Sequence, residues 1–219
     1  MKTGSKKAQN PRPSLVERID FYLAVSRIVD GLWVGTIDLN DQLILRRVEE
    51  ALGLIKAYDK RRYNRLLNDL ERVWVRLLPG ELGHFSVALR ACVLDTRFVL
   101  DETTSPEMLA TVIVHEATHA RLRRCGFGYD EDVRHRVEAI CHRRELAFVR
   151  KLPKGQYVRE WIEEGTELRP TELTDAARAK RELEDTVEML HHLGAPKWLI
   201  RMLPVIRAWR TRGSKYSLF

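Results

Sequence analysis

Apolar and polar positions alternate along this chain in a way that divides it into helical stretches with a shorter extended run among them. Leu15, Ile19, Tyr22, Leu23 and Ile28 recur at helical spacing behind Ser14 and Glu17, a capping-box pair, and predict a first helix that closes at Gly31. Residues 32–39 are apolar and glycine-punctuated, which suits either a strand or a packed loop. Asn40 or Asp41 can cap a second helix that turns Leu43, Ile44, Val48, Ala51, Leu52 and Ile55 inward. A third helix is expected to carry Leu66, Leu67, Leu70, Val73, Trp74 and Leu77 as far as the Pro79-Gly80 stop. Residues 84–100 lose the helical period and are rich in Val, Phe and Leu, so they predict one strand, or a hairpin turning at Asp95-Thr96.

Ser105 and Pro106 then mark the cap and first residue of a long helix. Gly126 should end it, after Arg121, Arg123 and Arg124 have set positive charge at its negative pole. Beyond the Gly126-Phe127-Gly128 turn, Asp130 can cap a further helix to about Leu152. Residues 157–169 read as loop or short helix. Thr174 caps a helix through Leu190 that ends at 194–196, and a last helix starts at Lys197 and is interrupted at Pro204. The pattern predicts an α+β protein, mainly helical, with a small sheet before the long helix. Its expected divisions are a disordered basic arm at 1–13, a helical region at 14–80, a core at 81–155 and a helical C-terminal region at 156–219.

Composition narrows the setting. A chain of 219 residues with 44% hydrophobic content can bury a sizeable core. Cys92, Cys125 and Cys141 are too few and too scattered for a disulfide framework, which points to a reducing compartment, with cytoplasm as the default. No apolar run is long enough for a signal peptide or a membrane span. The net charge of +7 is uneven: after Glu188 there is no acidic residue, while Lys197, Arg201, Arg207, Arg210, Arg212 and Lys215 follow. Such a tail can meet nucleic acid, anionic lipid or an acidic partner, although a solvated basic helix face is the simpler reading.

The chemistry centres on Val112-Ile113-Val114-His115-Glu116-Ala117-Thr118-His119-Ala120. On a helix, His115 and His119 share one face a turn apart, so both imidazoles can reach one metal ion. Glu116 points to the side of that face, where a carboxylate can take a proton from a water. A third ligand must come from elsewhere. The following helix offers Glu131, His135, Glu138, His142 and Glu145 on one stripe, opposite an apolar side made of Val133, Val137, Ile140, Ala147 and Phe148. Glu131, His135, Glu138 and His142 all compete for the metal. An ordinary core helix with hydrogen-bonded histidines, and a solvated titratable stripe, are the bland alternatives.

These residues resemble the active-site helix of zincin metallopeptidases, with Val112 and the uncharged Ala117 and Thr118 matching the longer pattern and Arg121 departing from it. The metzincin variant requires Gly and His where Leu122 and Cys125 stand. The gluzincin variant takes a glutamate from the next helix, and the eighteen residues between His119 and Glu138 are a spacing familiar from aminopeptidase-type members. The resemblance, which covers mainly residues 85–150, implies a zincin-like core and Zn²⁺ held by His115, His119 and Glu138. It also implies Glu116 as general base, and a peptide or protein substrate laid along an edge strand expected near Arg97 to Leu100. His142 stands where gluzincins often carry an acidic residue that orients a ligand, and either that role or oxyanion stabilisation falls to it. Tyr157 is a candidate phenol for the same oxyanion. The rival expectation is a nucleic-acid-binding or protein-binding module with a structural or vestigial zinc site.

Overall fold

The computed structural model describes residues 13, 15–78, 80–165, 174–192, 194–196, 198 and 202. The Ser14 cap, the arm before Pro13, the basic tail and, apart from residues 198 and 202, the helix expected from Lys197 lie outside the described residues. The architecture is α+β and mainly helical, with all five strands ahead of the histidine helix.

The first helix, α1 (Leu15–Leu23), is shorter than its apolar stripe predicts. Val25–Val29 (β1) and Leu32–Thr36 (β2) follow as an antiparallel hairpin with Val29 opposite Leu32, so Ile28 belongs to a strand. The two turn residues, Asp30 and Gly31, have φ of 49° and 88°. Two consecutive left-handed residues make a type I′ turn, whose twist matches that of the strands and which Asp-Gly favours. This local signal outweighs the helical spacing on its two sides. It also makes the open segment 32–39 a strand over its first part.

The helix α2 (Asp41–Tyr58) buries Ile44, Leu45, Val48, Ala51, Leu52 and Ile55, with Leu43 turned outward. Asp59 ends it and caps α3 (Lys60–Asp69), accepting from the Arg62 N–H at 3.2 Å. The expected continuation of that helix through Leu77 is overturned: Arg72–Arg76 is a strand, β3, in which Val73, Trp74 and Val75 are all buried. Three consecutive apolar residues inside a strand require cover on both faces. Val73 and Val75 join the core that α2 helps to build, and on Trp74 the Phe21 ring of α1 stacks at 4.6 Å between ring centroids while it meets Trp33 edge-on at 5.3 Å.

The hairpin within residues 84–100 exists but turns earlier than expected. Gly83–Ser86 (β4) pairs antiparallel with Ala91–Asp95 (β5), and residues 87–90 connect them. Thr96–Leu100 is a short helix, α4, because the Asp95 side chain accepts from the N–H groups of Arg97 and Phe98 at 2.8 and 3.3 Å. The expected edge strand at Arg97 to Leu100 is therefore a helix, and the edge belongs to β4. The sheet order is β1-β2-β3-β5-β4, with β2, β3 and β5 parallel. Pairing of β3 with β5 carries this sheet across the division expected at residue 80.

The next helix, α5 (Pro106–Arg124), starts and stops where the sequence indicates. The Ser105 hydroxyl accepts from the Met108 N–H at 3.2 Å, and Pro106 fills a position whose N–H has no helical partner. At the other end Gly126 takes φ of 88°, its N–H donating to Arg123 O while the Phe127 N–H donates to Leu122 O. That pair of bonds is a Schellman motif. Residues from Met108 to Val114, with Glu116, Ala117 and Ala120, are buried, so α5 runs through the interior against α2, α3 and β4. α6 (Glu131–Val149) packs along it, and α7 (Gly155–Gly165) shows that the segment from 157 begins as helix.

The described residues fall into two compact units, one drawn from Met1–Leu77 and Leu82–Glu167 and the other from Leu78–Glu81 and Leu168–Phe219. In the second, α8 (Asp175–His192) is capped as expected by Thr174, whose hydroxyl accepts from the Ala177 N–H at 3.2 Å. Among the described residues no helix is long and apolar enough to cross a membrane.

Two glycines make opposite predictions. A Cβ on Gly83 would stand 3.0 Å from Val93 O and 3.1 Å from both Leu94 Cδ2 and Val112 Cγ1, so Gly83→Ala should cost about 1–3 kcal/mol by overpacking between β4 and α5. A Cβ on Gly53, inside α2, would meet nothing within 4 Å, and Gly53→Ala should gain about 0.5–1 kcal/mol. Urea unfolding of both variants checks the two signs.

Candidate metal centre

Capping and packing of α5 and α6 bring three groups of the sequence pattern to one point. His115 Nε2 and His119 Nε2 are 3.2 Å apart. Glu138, from α6, sets Oε2 3.3 Å from His115 Nε2 and Oε1 3.5 Å from His119 Nε2. A tetrahedral ion with ligands at about 2.0–2.1 Å has ligand–ligand edges of about 3.3–3.4 Å, close to the separation of the two imidazole nitrogens and to the distance of each Glu138 oxygen from its own histidine. A second group shares the histidines: the ligand atoms of His115, His119 and the buried Cys141 all lie within 4.8 Å of one another. The His115, His119 and Cys141 group can therefore hold a metal ion, and the Glu138 carboxylate stands beside both imidazoles. Glu138 and Cys141 are three residues apart on α6, one turn, so both face α5.

The surrounding groups prepare the ligands. His115 Nδ1 is 3.2 Å from Glu145 Oε2. With the proton on Nδ1 donated to that carboxylate, a neutral His115 turns the lone pair of Nε2 toward Glu138 and His119, the tautomer metal coordination needs. Burial disfavours a charged His115, but the hydrogen-bonded carboxylates of Glu138 and Glu145 outweigh it and carry the imidazole well above the ordinary histidine range. Burial likewise opposes ionisation of Glu138, and its bonds with His115 and His119 overcome this and hold it far below the ordinary carboxylate range. Glu145 is lowered by the same balance, with His115 and His142 as partners. Glu116 differs: it is buried, and burial is the main cause that raises its carboxyl, against the lowering fields of His115, His119 and His84.

Some of the predicted positions arrive at the centre and some do not. His142 reaches it only through Glu145, with Nδ1 3.6 Å from Glu145 Oε2. Tyr157 is 52% exposed on α7 and does not line the cleft beside His115 and Glu116; Trp161 and Ile162 of the same helix do. The phenol at the centre is Tyr129, whose hydroxyl donates to Glu138 Oε1 and whose ring meets His119 edge-on at 5.4 Å between centroids. His135 and Glu131 are exposed. Cys125 caps α5 and lies outside the His115, His119 and Cys141 group. No family model, curated protein or solved structure matches this chain. The geometry alone therefore carries the functional reading.

Glu145, Tyr129, Cys141 and His84 are the participants that sequence reasoning did not assign. Glu145 had a usable signal, because it lies seven residues after Glu138, two turns along the same face. Tyr129 sits in the interhelical turn and His84 on β4, where no periodicity relates them to α5.

Glu145→Ala should lower metal affinity about 10–100-fold while removing no ligand, and Glu131→Ala should leave it unchanged, as read by competition with a chromophoric chelator. Because His115 is raised in the metal-free protein and coordinates only when neutral, metal uptake should release protons. Affinity should then keep rising with pH through neutrality, which the same competition run at several pH values measures.

Proposed function

We propose that this protein is a zinc-dependent metallopeptidase of the zincin type, gluzincin-like in taking its third ligand, Glu138, from the helix after the two histidines. The observation that carries the reading is the approach of the Glu138 carboxylate to both imidazoles, Oε2 3.3 Å from His115 Nε2 and Oε1 3.5 Å from His119 Nε2, with the buried Glu116 next to His115 in the sequence. A zinc ion held there lowers the pKa of a water to about 7 and polarises a carbonyl.

Around it, the chain's own residues divide the work. Glu116 accepts the proton as the water oxygen attacks the peptide carbonyl carbon, and delivers it to the amine nitrogen as the C–N bond breaks. Its raised pKa suits both halves of that transfer. Glu145 holds His115 in orientation, and Tyr129, in place of Tyr157, supplies the phenol near the developing oxyanion. A cleft of about 270 Å³ lined by Leu82, Gly83, Val112, Trp161 and Ile162 opens beside His115 and Glu116. β4, at the edge of the sheet, supports binding of the peptide or protein substrate by strand addition. Three free cysteines favour a cytoplasmic setting.

One observation favours the alternative of a binding module with a structural site. If the buried Cys141 thiol joined the histidines as a ligand together with Glu138, four protein groups would close the coordination shell. The two readings separate on Glu116→Gln. The amide is nearly isosteric, so zinc content and folding should persist while cleavage of a mixed peptide pool falls about 10²–10⁴-fold, mainly in kcat. Mass spectrometry with and without a chelator measures this. Chelator-sensitive cleavage that survives Glu116→Gln would contradict the assigned base, and zinc binding with no cleavage by the wild type would favour the module.

A further inference from the structure

A second concave site of about 320 Å³ lies on the other side of α5, between α3, α5 and α6. Its α5 wall is Val114, Ala117, Thr118, Arg121, Leu122 and Cys125, and it shares no lining residue with the cleft beside His115 and Glu116. Six cations line it, namely Arg61, Arg62, Arg65, Arg121, Arg144 and Lys151, against two carboxylates, Asp59 and Asp69.

Both carboxylates are already taken. Asp59 accepts from Arg62 Nε at 3.0 Å and Lys151 Nζ at 2.8 Å, besides capping α3. Asp69 is buried and pairs with Arg124 Nε at 2.7 Å and Arg121 Nη1 at 3.4 Å. Arg61, Arg65 and Arg144 have no carboxylate within 4.0 Å among the described residues, and Arg65 is half-buried. A guanidinium stays charged at any physiological pH, and three of them around one hollow favour an anion there. Their fork geometry suits phosphate oxygens taken two at a time. The rest of the wall is apolar: Val114 and Ala117 form buried surface, and Phe127 offers an aromatic face while 54% exposed. The volume is at the small end of the range of about 300–1,000 Å³ typical of small-molecule pockets.

We infer that this hollow binds a small phosphate ester carrying a flat apolar group, of the mononucleotide class, with Arg65, Arg61 and Arg144 on the phosphate and Phe127 against the base. The site is separate from the metal centre and does not depend on the peptidase reading.

Calorimetric titration of the full-length, metal-loaded protein with AMP tests it, with inorganic phosphate and adenosine as separate probes. One AMP should bind per chain, at least tenfold more tightly than either fragment. Arg65→Gln and the exposed Arg144→Gln should each weaken it at least tenfold with thermal melting unchanged, whereas Arg46→Gln on α2 should leave it as it was. Removal of the metal by a chelator should not alter AMP binding, and metal content measured in parallel keeps this result apart from the fate of the zinc assignment. Absence of saturable AMP binding would overturn the inference, as would indifference to both arginine variants. Loss of binding on chelation would place the phosphate on the metal instead. Inorganic phosphate binding as tightly as AMP would remove the aromatic contact, and binding of polyribonucleotide without AMP would reduce the hollow to a polyelectrolyte surface.

Discussion

Three groups that water would ordinarily keep apart, two imidazoles and a carboxylate, are held within 3.2–3.5 Å of one another by the packing of α6 on α5. The carboxylates of Glu138 and Glu145 on either side of His115 raise its imidazole above the ordinary histidine range and so favour its protonated form. A cation can take the place of that proton. The rest of the fold can be understood as what keeps the triangle from relaxing. Ser105 fixes where α5 begins, the Schellman turn at Gly126 fixes where it ends, and burial of α5 from Met108 to Ala120 leaves the histidine face as its main polar outlet.

The sheet contributes by its edge. Its central strands, β3 and β5, are covered on both faces and anchor the core, whereas β4 pairs antiparallel with β5 beside α5, with Gly83 against Val112. A Cβ there would stand 3.1 Å from Val112 Cγ1, in the wall of the cleft that His115 and Glu116 line. On the opposite side of α5 the same helix presents Arg121 and Cys125 to a basic hollow. One buried helix thus divides a carboxylate-rich face from a guanidinium-rich one, and the two fields do not share a cavity.

How much of this was legible depended on whether the signal was local. The Ser105 cap of α5, the stop at Gly126 and the approach of Glu138 to the histidines follow from residue types at fixed offsets and stand close to their expected places, and Asp130 holds the cap position of α6 without a side-chain cap bond. The strands β1 and β3 did not follow, for different reasons. Ile28 fits a helical stripe and a strand equally well, and only the Asp30-Gly31 turn decides between them. Val73, Trp74 and Val75 form a run that periodicity cannot assign, since a strand buried on both faces has no alternation. At the site, Tyr157 is a candidate phenol by residue type, but reach is set by tertiary placement. α7 turns Trp161 and Ile162 to the cleft, and the turn before α6 supplies Tyr129.

X-ray absorption at the zinc edge on the metal-loaded protein addresses the coordination most directly, because nitrogen or oxygen and sulfur neighbours scatter at different distances. The geometry predicts only nitrogen and oxygen at about 2.0–2.2 Å, two of them with the outer-shell pattern of imidazole, from His115, His119 and Glu138. A sulfur neighbour at about 2.3 Å would mean that Cys141 closes the shell and that the centre is structural, and it would contradict the open peptidase site.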